Sequence, residues 1–273
     1  MPNKLPVFVI NLDRRTDRWA MMSEQLDRLG IKATRIPAVD ARLLAKQKRR
    51  RDNGAPEWRI DPGSVANILS QSKAMISLLG SDASAALILE DDAMLAPDTP
   101  LLLDGMDWWP RSTHIIRLED VPRYTRAVPQ WLPNGRTPNG RAIRRMEGRA
   151  WGSAAYMIDR RGAQIALAAF ADPDLTFDHI LFDHRHSRTA RRLRPMQVIP
   201  AMARQCLESE SDQQQWRREA ELQGIARRLH RLRRNLRALP YKARVLALRG
   251  IGAVQMTHIA YSELSNANLK QNS

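Results

Sequence analysis

Cysteine is almost missing from this 273-residue chain, with Cys206 standing alone. A single thiol excludes an internal disulfide framework and fits a reducing, cytoplasmic compartment. Long apolar runs are missing too: no stretch approaches the roughly 20 apolar residues of a membrane span. The opening MPNKLPVFVINL has no small-residue cleavage site and leads straight into Asp13, Arg14 and Arg15, so it reads as a first strand and not as an export signal. Aromatic residues make up only 5% and do not alternate with the basic residues of the C-terminal part, which argues against a nucleic-acid stacking surface. Acidic residues are the scarcer charge, 29 Asp and Glu against 44 Lys and Arg, for a net charge of +15. Most of that excess lies between Arg185 and Arg249. A surface of this sign attracts phosphate in any form: nucleic acid, anionic lipid or a nucleotide.

What is present is ordinary for a folded protein, 43% hydrophobic and 27% charged residues. The length allows one large α/β domain with an appendage, or two small domains. LPVFVINL at residues 5–12 is a continuous apolar run of the kind expected from a strand covered on both faces. A helix over 13–30, stopped by Gly30, and a short strand ATRIPA at 33–38 complete a βαβ opening. Arg42 to Ile60 reads as a basic loop, and a helix from Pro62-Gly63 to Gly80 feeds the most informative stretch, LILEDDAML at 87–95.

That stretch is a buried strand delivering three carboxylates, Glu90, Asp91 and Asp92. Side-chain alternation places Glu90 and Asp92 on one side and Asp91 on the other. Two oxygen donors of one sign suit a hard divalent cation, Mg²⁺ or Mn²⁺, whose shell is completed by substrate phosphates. Further strands are expected at 114–118, ending in Glu119 and Asp120, at 150–158 and at 196–201. Between them, 121–149 reads as a loop with a hairpin around Pro138-Asn139-Gly140, and 160–170 as a helix. PDLTFDHILFDH gathers Asp178, His179, Asp183 and His184 around apolar residues.

From Gln213 the pattern changes. Leu222, Ile225, Leu229, Leu232, Leu236 and Leu239 recur at helical spacing with arginines between them, a long amphipathic basic helix ending at Pro240. Such a helix docks on its own domain, pairs with a second copy in a homodimer, or lies on an anionic membrane surface.

Several separated stretches, in order, resemble glycosyltransferase family 25. VFVINLDRRTDRW is similar to the family's first strand and Asn-Leu-x-x-Arg-x-x-Arg turn, on Asn11, Leu12, Arg15 and Arg18. Asp40 in AVDAR matches the acidic residue after the second strand, and PGSVANILSQSKA resembles the family's Ser-His helix, with Ser70 kept and Gln71 in place of histidine. ALILEDDAML, WGSAAYMIDRRGAQ, FDHILFD and IPAMARQ resemble the remaining elements. The resemblance covers roughly 5–212 and implies a GT-A-like nucleotide-sugar-binding domain over 1–212, with 213–273 a mostly helical basic extension outside it.

It further implies a nucleotide-sugar donor, inversion at the anomeric carbon, and a glycan acceptor such as a lipopolysaccharide core, lipid-linked or at the cell surface. The expected roles follow. Glu90 and Asp92 hold Mn²⁺ or Mg²⁺ against the diphosphate. Asn11, Arg15, Arg18, Asp40, Ser70, Gln71 and Asp91 contact the donor, and Asp178 or Glu119 is the general base on the acceptor hydroxyl. Gln71 hydrogen-bonds but cannot titrate as histidine does, which leaves a non-catalytic binding relative as the alternative. A basic tail on anionic lipid would place the protein at the inner face of the membrane.

Overall fold

A computed structural model of the chain describes residues 4–46, 60–120, 127–206 and 239–263. In chain order the elements are β1 (Val7–Asn11), α1 (Thr16–Arg28), β2 (Ala33–Pro37), α2 (Ala41–Lys46), α3 (Pro62–Leu79), β3 (Ala85–Glu90) and β4 (Ala93–Leu95). A 3₁₀ turn at Thr99–Leu103 precedes β5 (Ile115–Arg117), β6 (Glu119–Asp120), β7 (Val128–Arg136), β8 (Ala142–Met146) and β9 (Ala155–Asp159). The chain closes with α4 (Arg160–Ala169), α5 (Phe177–Phe182), α6 (Arg188–Leu193), β10 (Met196–Ile199), β11 (Ala203–Gln205), α7 (Leu239–Gly250) and β12 (Val254–Thr257).

The main sheet has the order β12-β7-β8-β10-β5-β9-β3-β1-β2, and a small second sheet has the order β4-β11-β6. β1 runs parallel to β2 on one side and to β3 on the other, so the carboxyl ends of β1 and β3 open together. β9 lies antiparallel between β3 and β5. Both faces of the sheet are covered. From β3, Ala85, Leu87 and Leu89 pack with Met22 and Leu26 of α1, while Ala86 and Ile88 pack with Ile68, Met75 and Leu78 of α3 and Ala163 and Ala166 of α4. Each such buried leucine or isoleucine contributes about 1.5–3 kcal/mol, which is why this strand reads as an unbroken apolar run.

Local chemistry sets the helix ends. Asp61 caps α3 by accepting from the Ser64 N–H at 2.9 Å, with Pro62 in the first turn. Asp159 caps α4 by accepting from the Gly162 N–H at 2.6 Å, and a Cβ at Gly162 would overlap the His114 carbonyl, so only glycine lets α4 lie this close to the sheet.

The structure corrects several expectations. The hairpin around Pro138–Gly140 is present, but its arms are full strands of the main sheet, β7 and β8. Pro129 and Pro133 disguise β7, whose register against β8 slips on either side of Pro133. The expected strand at 150–158 begins only at Ala155, because the chain turns at Gly152 with φ +89°. Pro240 lies within α7 (Leu239–Gly250) and so does not end a helix there. The rest of the amphipathic segment expected before it, up to residue 238, lies outside the described residues. β12 pairs with β7, and the Arg141 guanidinium, itself inaccessible to solvent, donates to the Ser262 carbonyl while forking onto Asp98.

Candidate active site

β3 ends at Glu90, and Asp91 and Asp92 form the turn that follows. Strand alternation therefore stops one residue early, and the expected split of the three carboxylates changes. Asp91 and Asp92 both reach Arg18, at 3.1 and 3.5 Å, while Glu90 takes its partners from Ser153 and Gln71. Asp91 is held from two sides, since the Asn11 Nδ2–H donates to its other oxygen at 2.7 Å. Asn11 is oriented in turn by Arg35, whose Nε–H donates to the Asn11 Oδ1 at 2.8 Å. These contacts exist because β1 and β3 are neighbours in register, with Ile10 opposite Glu90.

Glu90 accepts from the Ser153 hydroxyl at 2.6 Å and from the Gln71 amide at 3.1 Å. The Gln71 carbonyl oxygen in turn accepts from the Tyr156 hydroxyl at 2.7 Å. Gln71 is only 1% exposed, so it is a link inside the wall. It accepts on one side and donates on the other, which a neutral imidazole also does. Burial and then the charge of Glu90 push Tyr156 well above its ordinary range, so its hydroxyl stays a donor.

Crowding marks the acidic tip. Burial, then Asp92, pushes the Glu90 carboxyl up; burial also pushes Asp92 up against the pull of Arg18. Buried carboxylates raised by their neighbours gain most from a cation. Asp92 Oδ1 is buried and has no hydrogen-bond partner among the described residues. That orphaned oxygen beside Glu90 fits a divalent ion that takes one or two protein carboxylates and fills its shell with phosphate oxygens and water. Among the described residues no three His, Cys, Asp or Glu side chains gather into an all-protein cage.

A second acidic cluster stands alongside. The Glu119 side chain accepts from the Ala154 N–H at 2.6 Å and lies 3.7 Å from Arg117, and burial pushes its carboxyl up to about 8. Burial also raises Asp178, but contacts from His179 and Thr176, with the charge of Arg149, more than offset this and hold it at about 2. Arg149 lies over the Trp151 ring, whose edge meets His179, so residues 149–151 form one rim of the crevice.

The remaining sequence candidates are spread out. Arg15 turns to Asp17 at the exposed start of α1, though its charge still reaches Asp92. Asp40 pairs with Arg14 and Arg42 beyond β2. Ser70 spends its hydroxyl on the Ala66 carbonyl and the Val39 N–H, pinning α3 to the chain after β2. Sequence reading missed Arg117, Ser153 and Tyr156. The arginine inside the apolar run HIIRL was the available signal for the first, and the short polar residues of WGSAAYMI for the others. On the opposite side of the crevice the Cys206 N–H donates to the Asp92 carbonyl at 2.8 Å, so β11 steadies the acidic turn from behind.

The chain belongs to glycosyltransferase family 25 (LPS biosynthesis protein), whose sequence model matches residues 4–181. It is therefore a glycosyltransferase. Among solved structures it is similar to a glycosyltransferase involved in the glycosylation of the major capsid of PBCV-1, with a TM-score of 0.43 and 7% identity over 76% of this chain and 94% of that one. It is also similar to mannose-1-phosphate geranyltransferase from Thermus thermophilus, with a TM-score of 0.39 and 12% identity over 73% of this chain and 75% of that one. No curated protein matches the chain.

Proposed function

We propose that the chain transfers a hexose, galactose or glucose, from a nucleotide sugar to a cell-surface glycan such as a lipopolysaccharide core, with inversion. The observation that carries this reading is the crevice at the carboxyl ends of β1 and β3, where parallel strands bind ligands and where Asn11 and Arg18 brace an acidic turn with an orphaned carboxylate oxygen. Asp92, with Glu90, would hold Mn²⁺ or Mg²⁺, which when bound offsets the charge that develops on the departing diphosphate. Arg18 and Asn11 fix Asp91 toward the donor, and Arg15 adds a positive charge at the same edge.

Inversion is a single displacement. The acceptor hydroxyl oxygen bonds to the anomeric carbon as the bond from that carbon to the diphosphate oxygen breaks, and the hydroxyl proton passes to a base. Asp178 takes that role. It is ionised at neutral pH and stands at the crevice rim beside Trp151 and Arg149. Glu119 has no solvent exposure and favours its protonated form, which suits holding the 151–154 segment in place.

The hydrogen bonds of Gln71 weigh against a non-catalytic relative, because the amide performs the linking role open to a neutral imidazole. No helix among the described residues is long and apolar enough to cross a membrane. Exposed Leu246 and Ile251 beside Arg249 support a peripheral position on anionic lipid at the inner face. Calorimetry of the intact chain with a panel of nucleotide sugars, in Mn²⁺, Mg²⁺ or chelator, tests the reading. One hexose donor is expected to bind with the metal and lose most of its affinity with chelator. No binding and no turnover of any donor under any condition would overturn the proposal.

A further inference from the structure

We propose that the cavity beneath α7 is a second ligand site that takes a phosphoryl group, distinct from the donor crevice. The cavity has a volume of about 490 Å³ and is lined by Glu147, His184, Arg185, Arg191, Tyr241 and Arg244, with His186 and Pro240 at its edge.

The charges in the lining are disposed to receive an anion. Among the described residues each of the three guanidinium groups is anchored through one nitrogen. Arg185 is held through Nε by Asp183 at 3.3 Å and stacks over the Tyr241 ring. Arg191 is held through one terminal nitrogen by the carbonyls of His184 and Arg185, both at 3.2 Å. Arg244 is held through Nε by Glu147 at 2.9 Å. Planar forks pre-set in this way are the usual receptors for phosphate oxygens. The two acidic groups nearby are already engaged. Glu147 gives its other oxygen to the Trp131 N–H at 2.8 Å, and Asp183, with no exposed surface, also receives His186 at 2.9 Å. The repulsion is visible at His184, where burial, then Arg145, Arg191 and Arg244, outweigh the pull of Glu147 and favour the neutral ring. An oxyanion would relieve it.

The cavity is also built by specific packing. The Tyr241 hydroxyl donates to the Glu147 carbonyl at 3.1 Å and lies against Gly148, where any Cβ would overlap it and where φ is +112°. Apart from Glu147, the lining lies outside the residues matched by the family. α5 sets the distance to the crevice: Asp178 lies in its first turn and Asp183 follows its last residue, a separation of about 7.5 Å along the axis at roughly 1.5 Å per residue. A phosphorylated glycan or a lipid headgroup bound here could therefore present its sugar at Asp178.

The test uses the intact chain, calorimetry with a hexose 6-phosphate, and flotation with phosphatidylglycerol or phosphatidylcholine vesicles. Wild type, Arg191→Gln and a charge-matched control, Arg161→Gln on the exposed side of α4, are compared. Saturable binding is expected, weakened about tenfold in Arg191→Gln, the weight of one charge-assisted hydrogen bond, and unchanged in the control. Binding of the soluble phosphate identifies a free phosphorylated ligand; Arg191-dependent binding confined to phosphatidylglycerol vesicles identifies a headgroup. Either supports the site. Failure of both probes to bind wild type, or equal weakening by the control, overturns it. Should Arg191→Gln fail to melt cooperatively, competition decides, because a saturating nucleoside diphosphate must leave hexose-phosphate binding intact and displacement would place both in one site. Phosphate binding without donor binding would sink the functional proposal and leave this one standing.

Discussion

The crevice at the tips of β1 and β3 and the cavity beneath α7 carry opposite charge. In the crevice, three carboxylates from one turn are crowded by backbone geometry and kept in place by Asn11, Arg18, Gln71 and Ser153. In the cavity, Arg185 and Arg191 from one segment and Arg244 from another are gathered by anchors that use only part of each side chain. The crevice concentrates negative charge and the cavity positive charge, and the ligand proposed for each is of the opposite sign. Both follow from one rule, that a buried or crowded charge is costly until paired. The family's residues supply the first pairing problem, and the C-terminal part of the chain supplies the second.

The contrast breaks most sharply at Asp92. Asp92→Ala is expected to lower transfer by roughly a thousandfold, a loss comparable to removing a main electrostatic stabiliser of the leaving group, while hexose-phosphate binding stays at the wild-type value. Transfer near wild type would detach the acidic turn from the chemistry. Gln71 gives the next effect. Gln71→Leu leaves the Tyr156 hydroxyl and Glu90 without their link, costing about 1–3 kcal/mol in urea unfolding and about a hundredfold in transfer, whereas Gln71→His recovers most of both. Equal behaviour of the two variants would show that the link is idle.

The pH dependence of stability sharpens the difference between the two carboxyls beside the crevice. Glu119 is raised when folded, so its contribution is complete below the ordinary glutamate value of about 4.3 and is lost as pH climbs through about 8. Asp178 is lowered, so its contribution is present above the ordinary aspartate value of about 3.9 and is lost as pH falls through about 2. Urea midpoints at pH 6 and pH 9 should therefore differ less in Glu119→Gln than in wild type, and an identical difference would remove Glu119 from the balance. The smallest effect is expected at Gly148. Gly148→Ala meets both a strained φ and the Tyr241 hydroxyl, so hexose-phosphate affinity should fall about threefold to tenfold while nucleotide-sugar binding is retained. A parallel fall in both assays would mean that the two sites are one.

The sequence disclosed what depends on neighbours along the chain. The βαβ opening, the Pro62 start and Gly80 stop of α3, and the carboxylate-tipped strand are all set by periodicity, caps and turn residues acting within a few positions. It hid what depends on folding. The link from Tyr156 through Gln71 to Glu90 joins two strands and a helix far apart in the chain, and nothing near Gln71 reveals that its amide faces inward. The early end of β3 brings Asp91 and Asp92 together on Arg18 where alternation would have parted them, because alternation holds only while the strand lasts. β7 was concealed by its own prolines, and the cavity by its origin in three segments, each of which reads alone as an ordinary basic surface.

One hydrogen bond ties these regions together along the chain. The Cys206 N–H donates to the Asp92 carbonyl, and further along the chain Tyr241 and Arg244 of α7 line the cavity. Cys206 and Tyr241 belong to one chain, so the backbone held at the acidic turn is covalently continuous with the helix over the cavity. A proteolytic cut between Cys206 and Tyr241 would break that continuity, and comparing donor binding with hexose-phosphate binding before and after cleavage would measure how far the two regions depend on it.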